Sequence, residues 1–291
     1  MKFNLIYILY YIIIILLFNI INNMLTKKKF KCISDIISHT HNKYDEYKKL
    51  SLKNIPNQTP KMCEIVVQYN GLELQFVQKQ TPKICKLAIK QYGDALKYVI
   101  NQTPEFCKLA VKQNGDALQF VKIQTPKICK LAVQRNGFSL RYVKDPTPEI
   151  YKLAVKQNGL VLEIIEKQTE DICNLAVKQN GYALQYVKKQ TTDICKLAVK
   201  QNGYALQYVK IQTEDICKLA VKQNGFALFR VKNKTLDICK LAVKQNGYSL
   251  RFITNPTKQI YKLAIKQNKN VKYSFEEPTE ELTEELCDSV C

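Results

Sequence analysis

The stretch Thr191 to Gln212, TTDICKLAVKQNGYALQYVKIQ, recurs on both sides of itself at a fixed interval of 22 residues, and this period restricts the fold more than any local feature does. Copies begin at Thr59, Thr81, Thr103, Thr125, Thr147, Thr169, Thr191, Thr213, Thr235 and Thr257, with no insertion or deletion between them. One such unit buries too few apolar side chains to offset the entropy of ordering its backbone, so each must cover its face with the next. The expected product is a stack of like units rather than a globule with one asymmetric pocket.

With the Thr as position 1, pairs such as Thr81-Pro82, Thr103-Pro104 and Thr125-Pro126 put a side-chain acceptor at a helix N-cap and a residue without N–H at the first helical position. Later copies carry Glu170-Asp171 or Glu214-Asp215 there, where the helix dipole favours negative charge. Asn-Gly follows at positions 12 and 13, as at Asn202-Gly203, and predicts a stop in which the glycine takes the left-handed conformation. Between these signals, positions 4, 5, 7, 8 and 9 form a broad apolar arc. In the copy at 191 it is Ile194, Cys195, Leu197, Ala198 and Val199, opposite Thr192, Asp193, Lys196 and Lys200. The remainder, Tyr204 to Lys210, suits a second helix of about two turns, in part 3₁₀, because Leu206 and Val209 form an i, i+3 pair. Alternation of Tyr204, Leu206 and Tyr208 leaves a short strand, and with it an α/β horseshoe, as the alternative. The predicted fold class is all-α: a solenoid of about ten 22-residue helix-turn-helix repeats over residues 59–275, preceded by an N-terminal hydrophobic helix.

The phrase ICKLAVKQNGYALQYVK resembles the short helical repeats of a domain-of-unknown-function family expanded in giant DNA viruses of amoebae. The resemblance extends from Thr59 to about Phe275. It implies a helical repeat protein of viral origin and brings no catalytic residue with it.

Residues 1–25 contain nineteen uncharged residues from Phe3 to Ile21, about one bilayer crossing. They read as a transmembrane signal anchor, with a cleaved signal peptide as the alternative, although Asn19 to Leu25 offers no small-x-small cleavage site. Lys27, Lys28, Lys29 and Lys31 follow the apolar run, so the positive-inside rule places the repeats on the cytoplasmic side. A secreted or lumenal location would follow from cleavage, and glycosylation at Asn57, Asn101 or Asn233, each in an Asn-x-Thr sequon, would report it. Residues 26–58 read as a linker and degenerate cap, in which Leu52 and Ile55 fall where units carry Leu and Val. Cys32, His39 and His41 lie in that linker, and they read as polar linker residues because a closed zinc site needs four spaced ligands. Residues 276–291 carry seven acids and no base; Thr283-Glu-Glu-Leu-Cys287 resembles a unit start displaced by four residues and reads as an acidic cap or tail.

Cys63, Cys85, Cys107, Cys129, Cys173, Cys195, Cys217 and Cys239 all occupy position 5. Stacked helices hold equivalent residues about a helix diameter apart, beyond disulfide reach, so these are small core residues suited to a reducing compartment. Ser139, Arg141, Pro146 and Tyr151 recur together as Ser249, Arg251, Pro256 and Tyr261, either as a binding notch or as packing compensation copied by block duplication.

The formal charge of +20 concentrates in lysine, since Arg135, Arg141, Arg230 and Arg251 are the only arginines among 45 basic residues. Lysines at positions 6 and 10 make two rows, and their members Lys86, Lys90, Lys108, Lys112, Lys152, Lys156, Lys196, Lys200, Lys218, Lys222, Lys240 and Lys244 form the candidate interaction face. Asp193, Asp215 and Asp237 sit three residues before a lysine and are expected to neutralise it in part. Such rows fit an acidic protein, an anionic lipid surface or nucleic acid. Gln and Asn at positions 11 and 12 barely change between copies, which argues against base-by-base RNA reading. The sequence holds no glycine-rich phosphate loop, no nucleophile with a histidine partner and no paired acid and base. The expectation is a non-enzymatic, membrane-tethered scaffold for protein–protein interaction, without cofactor, metal or small-molecule substrate. Sequence-independent nucleic-acid binding through the lysine rows is the alternative.

Overall fold

The structure, a computed structural model, describes residues 51–276. The hydrophobic segment 1–25, the linker up to residue 50 and the acidic segment 277–291 lie outside the described residues. Among the described residues there is no strand, so the horseshoe alternative gives way to an all-helical repeat. No described helix is long and apolar enough to cross a membrane.

The described residues divide into two compact bodies, 51–122 and 123–276. The first contains α1 (Pro60–Tyr69), α2 (Pro82–Gln91) and α3 (Pro104–Gln113). The second contains α4 (Pro126–Arg135), α5 (Pro148–Gln157), α6 (Glu170–Gln179), α7 (Thr192–Gln201), α8 (Glu214–Gln223), α9 (Leu236–Gln245) and α10 (Lys258–Gln267). A 3₁₀ helix follows each of them one residue later, as Gly203–Tyr208 follows α7. The second helix of the repeat is thus 3₁₀ along its whole length, and the reason lies in its burial. Gly203, Leu206 and Val209 are buried at intervals of three, which is one edge of a helix with three residues per turn.

Each α-helix starts where its Thr predicts. Thr191 Oγ1 accepts from the Ile194 N–H at 3.3 Å, and α1 to α5 begin with Pro at the first position. The stop differs from the expectation. Asn202, at φ −149° and ψ 113°, is extended and breaks the helix, and Gly203 is not left-handed. The Asn202 N–H still bonds Ala198 O at 2.9 Å while its Oδ1 accepts from the Tyr204 N–H at 3.0 Å, so one side chain ends the α-helix and opens the 3₁₀ helix. The glycine serves a different purpose: a Cβ on Gly203 would stand 2.6 Å from Ala220 O in the next unit. It permits close approach between units rather than a turn.

The core lies between the two layers. In the copy at 191, Ile194, Cys195, Ala198, Val199, Ala205, Leu206 and Val209 are all buried. Leu197 departs from the predicted arc: it is half-buried, as are its counterparts from Leu87 to Leu263. At 100° per residue, position 7 falls one step outside the arc spanned by positions 4, 8, 5 and 9 and sits at the seam between neighbouring helices. Leu52 and Ile55, before the first full unit, are buried and joined by the bond Ile55 N to Leu52 O at 3.1 Å, which matches Val77 N to Leu74 O in the unit that follows. The Leu52 N–H also donates to the buried Glu73 carboxylate at 2.7 Å, which stands where most later units have Ala.

Candidate interaction surface

The predicted lysine face is the outer side of the α-helices, and its two rows behave differently. At position 6, Lys86 pairs with Glu105 at 3.1 Å, Lys130 with Glu149 at 2.7 Å, Lys196 with Asp215 at 3.7 Å and Lys218 with Asp237 at 3.2 Å. Each partner is the acid at position 3 of the following unit. The expectation that Asp193, Asp215 and Asp237 would neutralise the lysine of their own helix is therefore corrected: Asp215 and Asp237 reach back to the unit before, and the pair within a helix is Lys218 with Glu214 at 2.7 Å. Lys218 gains most from Glu214 and then Asp237, and together they raise its pKa. Of the remaining position-6 candidates, Lys108 and Lys152 are exposed and Lys240 is half-buried. The position-10 lysines Lys90, Lys112, Lys156, Lys200, Lys222 and Lys244 are all exposed.

The 3₁₀ helices carry a surface that sequence reasoning did not single out. Positions 14 and 18 are half-buried in most units, position 18 is mostly aromatic and position 14 aromatic in half of them, and at two junctions the ring at position 14 of one unit meets the ring at position 18 of the next. Tyr182 and Tyr208 stack edge-on with centroids 6.0 Å apart, and Phe226 and Phe252 repeat the arrangement at 5.9 Å. Phe229, 58% exposed, adds a third ring against Phe252 at 5.3 Å. Cations lie across these rings: Lys97 over Tyr98 and Phe120, Arg141 over Phe138, and Arg251 over Phe226 and Tyr248. The available signal was the recurrence of aromatic residues four apart in a segment too short to bury both.

Glutamines form the seams between these surfaces. Gln190 Nε2 donates to Leu184 O at 3.3 Å and to Tyr208 O in the next unit at 2.9 Å, while its Oε1 accepts from the Lys210 N–H at 3.0 Å. The Cys195 thiol also lies against that oxygen, at 3.7 Å. The second glutamine of the repeat, Gln223 at position 11, accepts the Gly203 N–H through Oε1 at 2.6 Å. Backbone–backbone bonds outside the helices close turns of three or four residues only, so side chains carry the hydrogen bonding from unit to unit, the glutamine amides foremost and lysines beside them, as Lys188 Nζ donates to Glu166 O at 2.8 Å. The near-invariance of Gln at position 11 is accounted for by this structural duty rather than by a reading function.

Burial pushes the thiols of Cys63, Cys85, Cys107, Cys129, Cys173, Cys195 and Cys217 up, Cys217 to about 11, where the nearby Glu214 charge adds to the burial. Neutral, buried thiols are poor nucleophiles. Among the described residues no group of three His, Cys, Asp or Glu side chains is placed to hold a metal. Two recesses are open grooves on the N-terminal edge of the helices. One of about 540 Å³ is lined by Thr81, Pro82, Lys83, Lys86, Ile100 and Phe106, and another of about 440 Å³ by Thr169, Glu170, Lys188, Lys189 and Ile194. Both lie where one unit meets the next, so they restate the period.

The domain of unknown function DUF4116 matches this chain five times, at residues 103–146, 147–191, 169–212, 191–236 and 213–256. These matches together span more than half of the sequence. The chain belongs to the DUF4116 family. Each match covers two successive 22-residue units, so the DUF4116 domain corresponds to two turns of the array joined by one glutamine seam. No curated protein and no solved structure matches the chain.

Proposed function

We propose that this protein is a non-enzymatic repeat scaffold that binds another protein along its 3₁₀ face, tethered to a membrane through residues 3–21 with its repeats on the cytoplasmic side. The observation that carries the reading is the two half-buried aromatic pairs on that face, Tyr182 with Tyr208 and Phe226 with Phe252, the second with Arg251 over Phe226. Aromatic residues and Arg are the side chains enriched in protein interfaces and in their energetic centres. The position-6 lysines support the same choice of face, because acids of the next unit already offset much of their charge. The tether rests on the uncharged run and the lysines beyond it, and a viral origin rests on the resemblance of the repeats to those expanded in giant viruses of amoebae.

The exposed position-10 row favours a second reading, sequence-independent binding of nucleic acid. Proximity labelling in the expressing cell, with the full chain and two variants, separates them. A protein partner lost on Phe229→Ser and kept on Lys200→Glu/Lys222→Glu fits the first. Nucleic acid recovered with steep salt dependence, lost on the double Glu variant and kept on Phe229→Ser, would replace it with the second.

A further inference from the structure

The 3₁₀ helix of the unit starting at Thr213 reverses an order that the units before it share. In every unit from Thr59 to Thr191, position 17 is polar or charged and position 18 is aromatic or aliphatic, as Gln207 and Tyr208 are. In this unit position 17 is Phe229 and position 18 is Arg230. The exchange puts the ring on the outward position, where it is 58% exposed. A single exposed ring is ordinary, but this one joins a patch shared with the next unit.

Phe229 packs on Phe252 at 5.3 Å, and Phe252 on Phe226 at 5.9 Å. Arg230 lies over Phe229 at 4.9 Å, and Arg251 over Phe226 at 5.9 Å and Tyr248 at 6.0 Å. Two of the four arginines of a lysine-rich chain therefore meet on four rings, and both are exposed. Among the described residues neither guanidinium forms an ion pair. Positions 14 to 18 carry no acid in any unit from Thr169 to Thr257, so the 3₁₀ face itself supplies no counter-charge. The patch is not part of the block that recurs five units apart: Asp116 and Gln119 stand there in place of Phe226 and Phe229.

We infer that this patch is the centre of the interaction surface and takes an acidic segment of a partner protein, with an apolar side chain on Phe229 and Phe252 and carboxylates on Arg230 and Arg251. The inference rests on the protein-binding reading above and names the chemistry of its partner. Arg suits this chemistry better than Lys, because its planar fork holds a carboxylate through two hydrogen bonds while its face stays on a ring. A nucleobase fits less well. Phe226 and Phe252 meet at 90°, Phe229 and Phe252 at 46°, and Arg251 lies over Phe226, which leaves no flat platform for a base.

Panning a phage-displayed library of short random peptides on the full-length chain tests the inference. Enriched peptides are expected to carry Asp or Glu beside an apolar residue. A synthetic copy of one should bind about tenfold more weakly to Arg230→Lys and to Arg251→Lys, which keep the charge and lose the fork, and to Phe229→Ser. All three side chains are exposed, so these variants are expected to fold as the native chain does. Enriched peptides without acids, or binding that falls on Phe229→Ser and on neither Lys variant, would overturn the acidic partner and leave the protein-binding face standing. Peptides lost only on Lys200→Glu/Lys222→Glu would overturn both readings, and a library yielding none that separates the native chain from Phe229→Ser would overturn the patch as the centre. A fluorescent single-stranded oligonucleotide that binds the native chain and is lost on the same three substitutions would replace the partner protein with nucleic acid.

Discussion

At the seam between the units starting at Thr169 and Thr191, Gln190 spans the two with three hydrogen bonds and lies against the thiol of Cys195. At the seam before Thr257 the glutamine is Pro256, which has neither amide nitrogen nor amide oxygen to offer, and the cysteine is Tyr261. The phenol is buried and its hydroxyl donates to Phe275 O at 3.1 Å, one position beyond the carbonyl that a glutamine would reach. Pro146 and Tyr151 repeat the exchange five units earlier in the chain. The pairing explains why the two residues change together. A small thiol leaves room for the glutamine head, and a ring takes that room when the head is gone. Packing compensation accounts for the irregularity without a binding notch. Both kinds of seam keep their glycine, however: a Cβ on Gly137 or Gly203 would stand 2.7 or 2.6 Å from the carbonyl of Ala154 or Ala220.

The glycine therefore sets the largest expected effect, common to both kinds of seam. Gly203→Ala and Gly137→Ala must each push a backbone carbonyl away, and overpacking of this kind costs roughly 1–3 kcal/mol or more. Chemical denaturation of the two variants should give equal losses. A loss at Gly203 alone would mean that the Pro–Tyr seam is looser than its geometry implies.

The glutamine comes next and divides the seams. Gln190→Pro strands the part-buried Tyr208 O, at up to roughly 1–3 kcal/mol for a group left without a partner, whereas the exposed Lys210 N–H can turn to water. Adding Cys195→Tyr should recover part of that loss, whereas Cys195→Tyr alone should destabilise by crowding the Gln190 head. The double-mutant cycle should show a favourable coupling of about 1 kcal/mol or more. Strict additivity would remove the explanation given for Pro256 and Tyr261.

The thiols of the cysteine-bearing units give a pH test. A buried thiol has a folded pKa above its unfolded value, so the fold holds the proton more tightly. The stability this contributes is complete below the unfolded value and is lost as pH rises towards the folded one. For Cys217 that window runs from 9.0 to about 11. Stability should fall across it, and Cys217→Ser should flatten the fall. A profile unchanged by that substitution would mean that other groups set the alkaline limit.

Much of the array was legible in the residues. The period, the helix starts at each Thr and the buried thiols followed from local chemistry, and each depends on neighbours within one unit. Three features were not, because each depends on the unit beyond. Gly203 was read for its conformational freedom when its neighbour Ala220 O decides it, and Asp215 was paired with its own helix when Lys196 lies across the seam. Gln190 was not singled out, because its four contacts are 5 to 20 residues away in sequence. The aromatic line fell between these cases. Tyr204 and Tyr208 were noticed for their alternation, but which of them meets the next unit depends on the 3₁₀ pitch, and that pitch was only half anticipated.

The smallest effect concerns the ion pairs, and it separates the first seam of the array from those that follow. Between the first two units the lysine is Lys83 at position 3 and the acid is Glu64 at position 6, at 2.7 Å, the reverse of Lys196 with Asp215 at 3.7 Å. If geometry rather than polarity matters, Lys196→Glu with Asp215→Lys should melt within error of the native chain. Each single change, by contrast, leaves two like charges facing across the seam. Exposed pairs contribute only about 0.2–1 kcal/mol and are screened by salt, so the single variants should lose little and should recover at high ionic strength. The informative comparison is direction: Lys83→Glu should repel Glu64 as Asp215→Lys repels Lys196. A swapped pair at 196 and 215 that remained destabilising in high salt would show that the polarity is fixed by something other than the pair itself. The aligned helix dipoles are the candidate, because they favour an acid at position 3 near each helix N-terminus.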